Sequence, residues 1–192
     1  MTRRGIQVLP VGPLPRVVER ARAAERDGLD TLWFSDDPLA ACDIYPTLAA
    51  CARATSRIRL GAVTDVDRRH PTVTACGFAS LDEMFPGRFV LGLESSGDNL
   101  DDFLLRASLI QGLLRGETLE WNGRPVRTRF VTAPTAVPIY TSALVSHDLD
   151  LLVRGSRAEL DAALQERGDR SVVWFADSAE DDDSVDEVVT PA

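Results

Sequence analysis

RIRLGAVTDVDRRHPTVTACGFASLDEMFPGRFVLGLESSGD, residues Arg57 to Asp98, reads as strand, loop, helix, strand. Ile58, Leu60, Ala62 and Val63 make a short apolar run broken only by Arg59 and Gly61, the pattern of a buried strand. His70-Pro71 opens a helix, because proline at the first helical position loses no hydrogen bond and its φ is already set. Val73, Cys76, Ala79, Leu81 and Met84 form an imperfect apolar stripe along that helix and are expected to face inward. Pro86-Gly87 ends it, and Phe89, Val90, Leu91 and Leu93 supply the next buried strand. Strand, helix and parallel strand within about forty residues make a right-handed βαβ unit.

Upstream, the same rhythm holds. Gly5 to Val8 is a first strand, and a helix runs from Pro15 to Arg26, closed by Gly28. Asp30 to Ser35 is a second strand, and Asp43 caps a second helix. Downstream, Asn99 caps a helix whose apolar face runs from Phe103 to Leu114, and TLEWNGRPVRTRF is a β-hairpin turning at Asn122-Gly123. Val137 to Ser142 is a fifth barrel strand. Ser156 and Glu159 form a capping box, and Val172 to Phe175 is the expected last strand.

The run LGAVTD…RRHPTVTACGFASLDEMFPGRFVLGL, with LLRGETLEWNGRPVR…APTAVPIY after it, resembles the luciferase-like monooxygenase superfamily. The branch it is most similar to comprises the reductases and dehydrogenases that use a deazaflavin. The resemblance implies a (β/α) TIM-barrel-like α/β fold with chemistry at the carboxyl ends of the strands. A full barrel takes about 250 residues, and this chain has 192. The units between Ser142 and Leu151 are cut to a few residues. The expectation is therefore a truncated barrel of six or seven strands with a β-hairpin insertion after helix four, in one domain over residues 1–176. A barrel missing strands leaves an edge open, so a homodimer covering that edge is expected.

Composition narrows the function. The net charge is −9, but seven acidic side chains and no basic one lie within 177–192, so the remainder carries −2. That remainder offers no electrostatic footprint for nucleic acid, and residues 177–192 read as an acidic, disordered extension. No apolar run reaches the ~18 residues of a membrane span, and the first ten residues are too polar for a signal peptide, so a cytoplasmic location is expected. All 21 basic residues are arginine, which excludes a Schiff-base lysine and a P-loop. Three cysteines without a CxxC, and two histidines, argue against a metal centre or a disulfide frame.

The family pattern, carried over residue by residue, gives the candidate site. Asp36 matches the aspartate at the second strand end, near the polar edge of the ring. Ala62-Val63 matches a bend held by a non-proline cis peptide that buttresses the ring, and Thr64 would offer its hydroxyl or amide to a ring carbonyl. Gly92 keeps one glycine of the turn after strand four. Glu94 stands where a second glycine is common, and Ser95 comes next. Glu94 is either the chain's own acid or base, with Asp36 as the other candidate catalytic carboxylate, or the partner of an arginine across the mouth. Phosphate would fall to Ser142 and to the helix start at Ser156 and Arg157, which equally serve as an ordinary capping box. His70 is read as a helix start. Ser146, His147 and Asp148, adjacent in sequence, do not make a triad.

Two functions stay open. One is an oxidoreductase using reduced FMN or the deazaflavin coenzyme F-420 on a small organic substrate. The other is a silent relative that binds flavin, or no cofactor at all, and pairs with another protein.

Overall fold

The computed structural model describes residues 2–142, 149–177, 182 and 184–191. Eight parallel strands close into a barrel: β1 (Arg3–Val8), β2 (Thr31–Ser35), β3 (Arg59–Asp65), β4 (Phe89–Glu94), β7 (Ile139–Thr141), β8 (Asp150–Gly155), β9 (Val172–Ala176) and β10 (Glu187–Pro191). Helices α1 (Leu14–Arg26), α2 (Ile44–Ala54), α3 (Pro71–Met84), α4 (Leu100–Leu114) and α5 (Arg157–Glu166) come after β1, β2, β3, β4 and β8. The hairpin β5 (Leu119–Trp121) and β6 (Arg124–Val126) stands between α4 and β7, with Asn122 and Gly123 both at positive φ, as a type I′ turn demands.

The expectation of six or seven strands is therefore corrected to eight. The chain saves length in its outer layer rather than in its sheet. β7 and β8 are joined by residues 142–149 and β9 and β10 by residues 177–186, connections far shorter than those of the ~30-residue units upstream. The segment expected to be a disordered extension supplies β10, which pairs with β9 on one side and β1 on the other. Val172 to Phe175 is thus the last strand but one. With the ring closed, the open edge that called for a covering partner does not exist.

β10 is held by its own first residue. Glu187 is fully buried and accepts a hydrogen bond from Trp33 Nε1 (2.8 Å) and one from Arg59 Nη2 (2.6 Å). Trp33 fills the barrel interior, edge-on to Phe175 (5.2 Å between centroids) and Tyr140 (6.4 Å), among Val63, Val90, Leu152, Val173 and Val189. Glycines make that room. A Cβ on Gly61 would overlap the Trp33 ring, and one on Gly5 would lie 2.7 Å from a Glu187 carboxylate oxygen. The outward side chains Leu32, Phe34, Leu60, Ala62, Leu91 and Leu93 pack beneath the helices instead.

The inward face of α3 departs from its reading in the sequence. The buried face of α3 is Thr74, Ala75, Phe78, Ala79, Leu81 and Asp82, whereas Val73 (51% exposed), Cys76 and Met84 (59%) face out. Asp82 belongs inside because it accepts from the Gly87 and Ala136 N–H groups, tying the helix to the turn before β4 and to the approach to β7. Glu25 at the end of α1 accepts from the N–H groups of Ser56, Arg57 and Ile58, which sets the entry into β3. Burial opposes its charge, but those three N–H groups and Arg88 outweigh it and pull its pKa from 4.5 to about 2.

Two outcomes are expected. Glu187→Leu leaves Arg59 without its carboxylate and Trp33 Nε1 without its acceptor, and should cost about 3–5 kcal/mol in urea unfolding at pH 7. A loss below about 1 kcal/mol would contradict the role given to it. Glu25→Ala should cost about 2 kcal/mol at pH 7. Because the folded pKa is depressed, that difference should persist above pH 4.5 and shrink as pH falls toward 2; a gap independent of pH would speak against it.

Candidate functional site

The carboxyl ends of the strands form the barrel mouth, and strand alternation sorts the expected site residues onto two faces. Trp33, Val63 and Val90 belong to the interior cluster, and Leu32, Phe34, Ala62 and Leu91 to the cluster beneath the helices. Asp36 and Thr64 continue the helix-facing parity, whereas Ser35 and Glu94 continue the interior one. Asp36 and Thr64 therefore meet each other but not Glu94.

The Asp36 carboxylate, 3% exposed, receives Arg69 through Nε (2.5 Å) and Nη2 (2.8 Å) and the Thr64 hydroxyl (2.7 Å). Arg69 also reaches Asp43 at 3.1 Å and lies over the Tyr45 ring, 5.1 Å from its centroid. The Asp36 hydrogen bond, opposed by burial, raises the Arg69 pKa above its ordinary value. This is a closed ion-pair cluster that pins the loop after β3 to the start of α2.

Ala62-Val63 does not bend. Both residues pair in register with β2 and β4, and among the described residues the cis peptide is Gly12-Pro13. The regular strand is a consequence of packing: Val63 points inward and Ala62 outward, each into a filled core. Gly92 likewise serves packing, since a Cβ there would come within 2.7 Å of Leu152 and 3.1 Å of Val63. Ser95 donates to Asp67 at 2.6 Å, and the Gly97 N–H reaches the same carboxylate at 3.1 Å. The Ser95 hydroxyl and the Gly97 N–H hold the Asp67 pKa below the usual carboxylate range against the effect of burial. Ser142, exposed at the end of β7, donates its N–H to the Leu93 carbonyl. Ser146, His147 and Asp148 lie outside the described residues.

What the mouth does bring together is a bridge across it. Arg154 on β8 pairs through Nε with Glu94 on β4, and through Nη1 (3.0 Å) with the side-chain Oε1 of Gln7 on β1. Gln7 in turn donates to the Ser35 hydroxyl at 3.0 Å. The Arg154 guanidinium stacks on Phe175 at 4.6 Å. Glu94 thus takes the second of its two expected roles, partner of an arginine. Gln7, Arg154 and Phe175 do not stand out in the sequence. Their signal is positional only: each is the inward residue one place before a strand end.

Beside this bridge lies a pocket of about 430 Å³ lined by Gln7, Ser35, Arg154, Phe175, Asp177 and Thr190, with Val8, Leu9, Gly155, Ala176, Val189 and Pro191 completing it. The volume falls in the range of ligand pockets. The pocket lining combines apolar side chains (Val8, Leu9, Phe175, Val189) with an amide, two hydroxyls, a guanidinium and a carboxylate. The donors expected to hold a phosphate are already engaged. The Ser156 N–H (2.7 Å) and hydroxyl (2.9 Å), the groups expected to hold one, are both bonded to Glu159, and Arg157 pairs with Asp161 and Asp182.

Comparison with known proteins places this architecture. A family model described as luciferase-like monooxygenase matches residues 1–154. The chain is 30% identical over 155 residues to a 5,10-methylenetetrahydromethanopterin reductase of Methanolobus tindarius, covering 72% of this chain and 47% of that protein. It is 32% identical over 156 residues to a coenzyme F-420-dependent glucose-6-phosphate dehydrogenase of Nakamurella multipartita, covering 66% and 46%. The chain thus spans a little under half the length of these relatives. Among solved structures, the coenzyme F-420-dependent tetrahydromethanopterin reductase of Methanopyrus kandleri superposes with a TM-score of 0.72 at 20% identity, over 93% of this chain and 66% of that one. A long-chain alkane monooxygenase does so with a TM-score of 0.71 at 13% identity, over 91% and 63%. At such identities the structures speak for the fold, and the sequence match carries the assignment: the chain belongs to the luciferase-like monooxygenase family.

Proposed function

We propose that this protein is a luciferase-like oxidoreductase that takes a flavin or deazaflavin ring at the barrel mouth and acts on a small organic substrate. The observation that carries the reading is the pocket beside the Gln7–Arg154–Phe175 bridge, at the strand ends where this barrel architecture places its chemistry. Relatives named as coenzyme F-420-dependent, and a neighbour named as a monooxygenase, support the class of cofactor. When bound, such a ring supplies hydride transfer or, as a reduced flavin, oxygen chemistry. The chain's own residues do the rest. Phe175 and Arg154 give the ring a surface to lie against, and Gln7 and Ser35 offer an amide and a hydroxyl to its polar edge. Glu94 positions Arg154, and Asp36 positions the Arg69 loop.

One observation favours a second reading, a flavin-binding or partner-binding protein without turnover. Glu94, a carboxylate at the mouth, is already engaged by Arg154 rather than turned free toward a substrate.

A homodimer also belongs to this reading, at a place other than a sheet edge. Val73 and Met84 project from α3 beside a groove of about 660 Å³ between α2 and α3, lined by Tyr45, Ala49, Cys76 and Leu81. Apolar side chains exposed around an apolar groove are what a second copy would cover.

Tryptophan-fluorescence titration with riboflavin, FMN and coenzyme F-420 should show saturable quenching by at least one of them. Arg154→Ala and Phe175→Ala should each weaken it tenfold or more, and no saturable binding of any ring would end the proposal. Oxidation of the reduced ring in the presence of candidate substrates then separates the enzyme from the silent binder. In sedimentation velocity at micromolar concentration the protein should run as a dimer, and Val73→Asp with Met84→Glu should shift it to monomer. A monomeric parent protein would contradict the interface.

A further inference from the structure

We infer that the mouth selects its ring in a phosphate-free, uncharged form, so that riboflavin or a deazariboflavin, rather than FMN or a phosphorylated deazaflavin, is the ligand class. The inference rests on the ring-binding proposal above and concerns what that ring carries at its other end.

Charges and free donors around the pocket decide between the two forms. Arg154 and Asp177 are the charged side chains among the described residues lining the pocket. Arg154 is engaged by Glu94, Gln7 and Phe175 together, which leaves Asp177 as the charge with no ion pair among the described residues, and it is negative. One residue beyond β8 begins α5, where a helix N-terminus would ordinarily attract a phosphate. Here that seat is filled from within. Glu159 Oε2 accepts from both the N–H and the hydroxyl of Ser156, and its carboxylate packs over Gly155 so closely that a Cβ there would overlap it. The Ser156 N–H, then its hydroxyl, keep the Glu159 pKa below the ordinary range, so the seat holds a full negative charge at neutral pH.

The neighbouring arginines are equally committed. Arg157 faces Asp161 and Asp182. Burial works against the Asp182 charge, but its hydrogen bonds from Ser184 and the Arg157 guanidinium prevail and hold its pKa low. Across the mouth, Arg68 faces Asp37 and Asp65, and Arg69 faces Asp36 and Asp43. The sequence contains no lysine to supply another cation. A phosphate monoester carries about −1.5 to −2 at pH 7. It would meet Asp177 in the pocket wall and the Glu159 carboxylate over Gly155, with no unpaired guanidinium among Arg68, Arg69, Arg154 and Arg157. An uncharged ribityl chain gives those carboxylates no charge to repel.

The test compares ligands that differ by the phosphate alone. At low ionic strength, titration of the full chain should give a dissociation constant for riboflavin at least tenfold below that for FMN. The ratio should fall toward one in about 1 M salt, where the repulsion is screened. Glu159→Gln combined with Asp177→Asn should raise FMN affinity severalfold relative to riboflavin, with an unchanged far-ultraviolet circular dichroism spectrum as the check that the fold is intact. FMN binding as tightly as riboflavin or tighter would overturn the inference and leave the ring site standing. An FMN-to-riboflavin ratio unmoved by both salt and the double variant would also overturn it. Failure of riboflavin, FMN and coenzyme F-420 alike would remove the ring site itself, and the inference with it.

Discussion

One carboxylate, taken out of water at the amino end of β10, governs the rest of the structure. Glu187 is shared by Trp33 Nε1 and Arg59, on β2 and β3, across the barrel from its own strand. A buried ion is costly unless its partners are in place. The Trp33 hydrogen bond in turn fixes the largest side chain of the interior, and Phe175 and Tyr140 pack edge-on against it. Phe175 then carries Arg154, and Arg154 spans the mouth to Glu94 and Gln7. A chain of contacts thus leads from the barrel floor to the rim where a ligand would lie.

This arrangement explains how eight strands close within 192 residues. Short connections take the place of full βα units after β7 and β9, and α5 with Val185 covers the outer faces of β8, β9 and β10 in a separate small core of Leu151, Val153, Val172, Trp174 and Val188. The larger core lies under α1 to α4. The half that matches the family most continuously and the half that closes the ring are thus packed by different means, and Glu187 joins them through the interior.

Much of the first half was legible in the chain itself. Asp43 and Asn99 cap α2 and α4 as their residue types require, His70-Pro71 opens α3, and Asn122-Gly123 turns the hairpin. The closing strand was not legible, because EVVTP is short and its glutamate sits among acidic residues, where it reads as solvated charge. Only a partner 154 residues away, Trp33, reveals it as a buried group. The inward face of α3 was hidden for a related reason. Thr74 and Asp82 are polar yet buried, with Asp82 satisfied by N–H groups at 87 and 136, while the more apolar Val73 and Met84 lie outside. For the site, the family pattern led to Asp36 and Thr64, whose strand parity turns them to the helices. The mouth residues Gln7, Ser35, Arg154 and Phe175 have the interior parity and come from four different strands, a grouping that only the closed barrel makes visible.

The account stands on the claim that β10 is an integral stave of the barrel. The most direct measurement is urea unfolding, monitored by near-ultraviolet circular dichroism of the tryptophans, of a chain ending at residue 176 beside the full one. The account predicts that the shortened chain loses its tryptophan signal and its cooperative transition, with β1 and β9 left as open edges and Trp33 and Arg59 without their carboxylate. A shortened chain that keeps the same spectrum and unfolds at the same urea concentration would show that residues 177–192 are dispensable and contradict it.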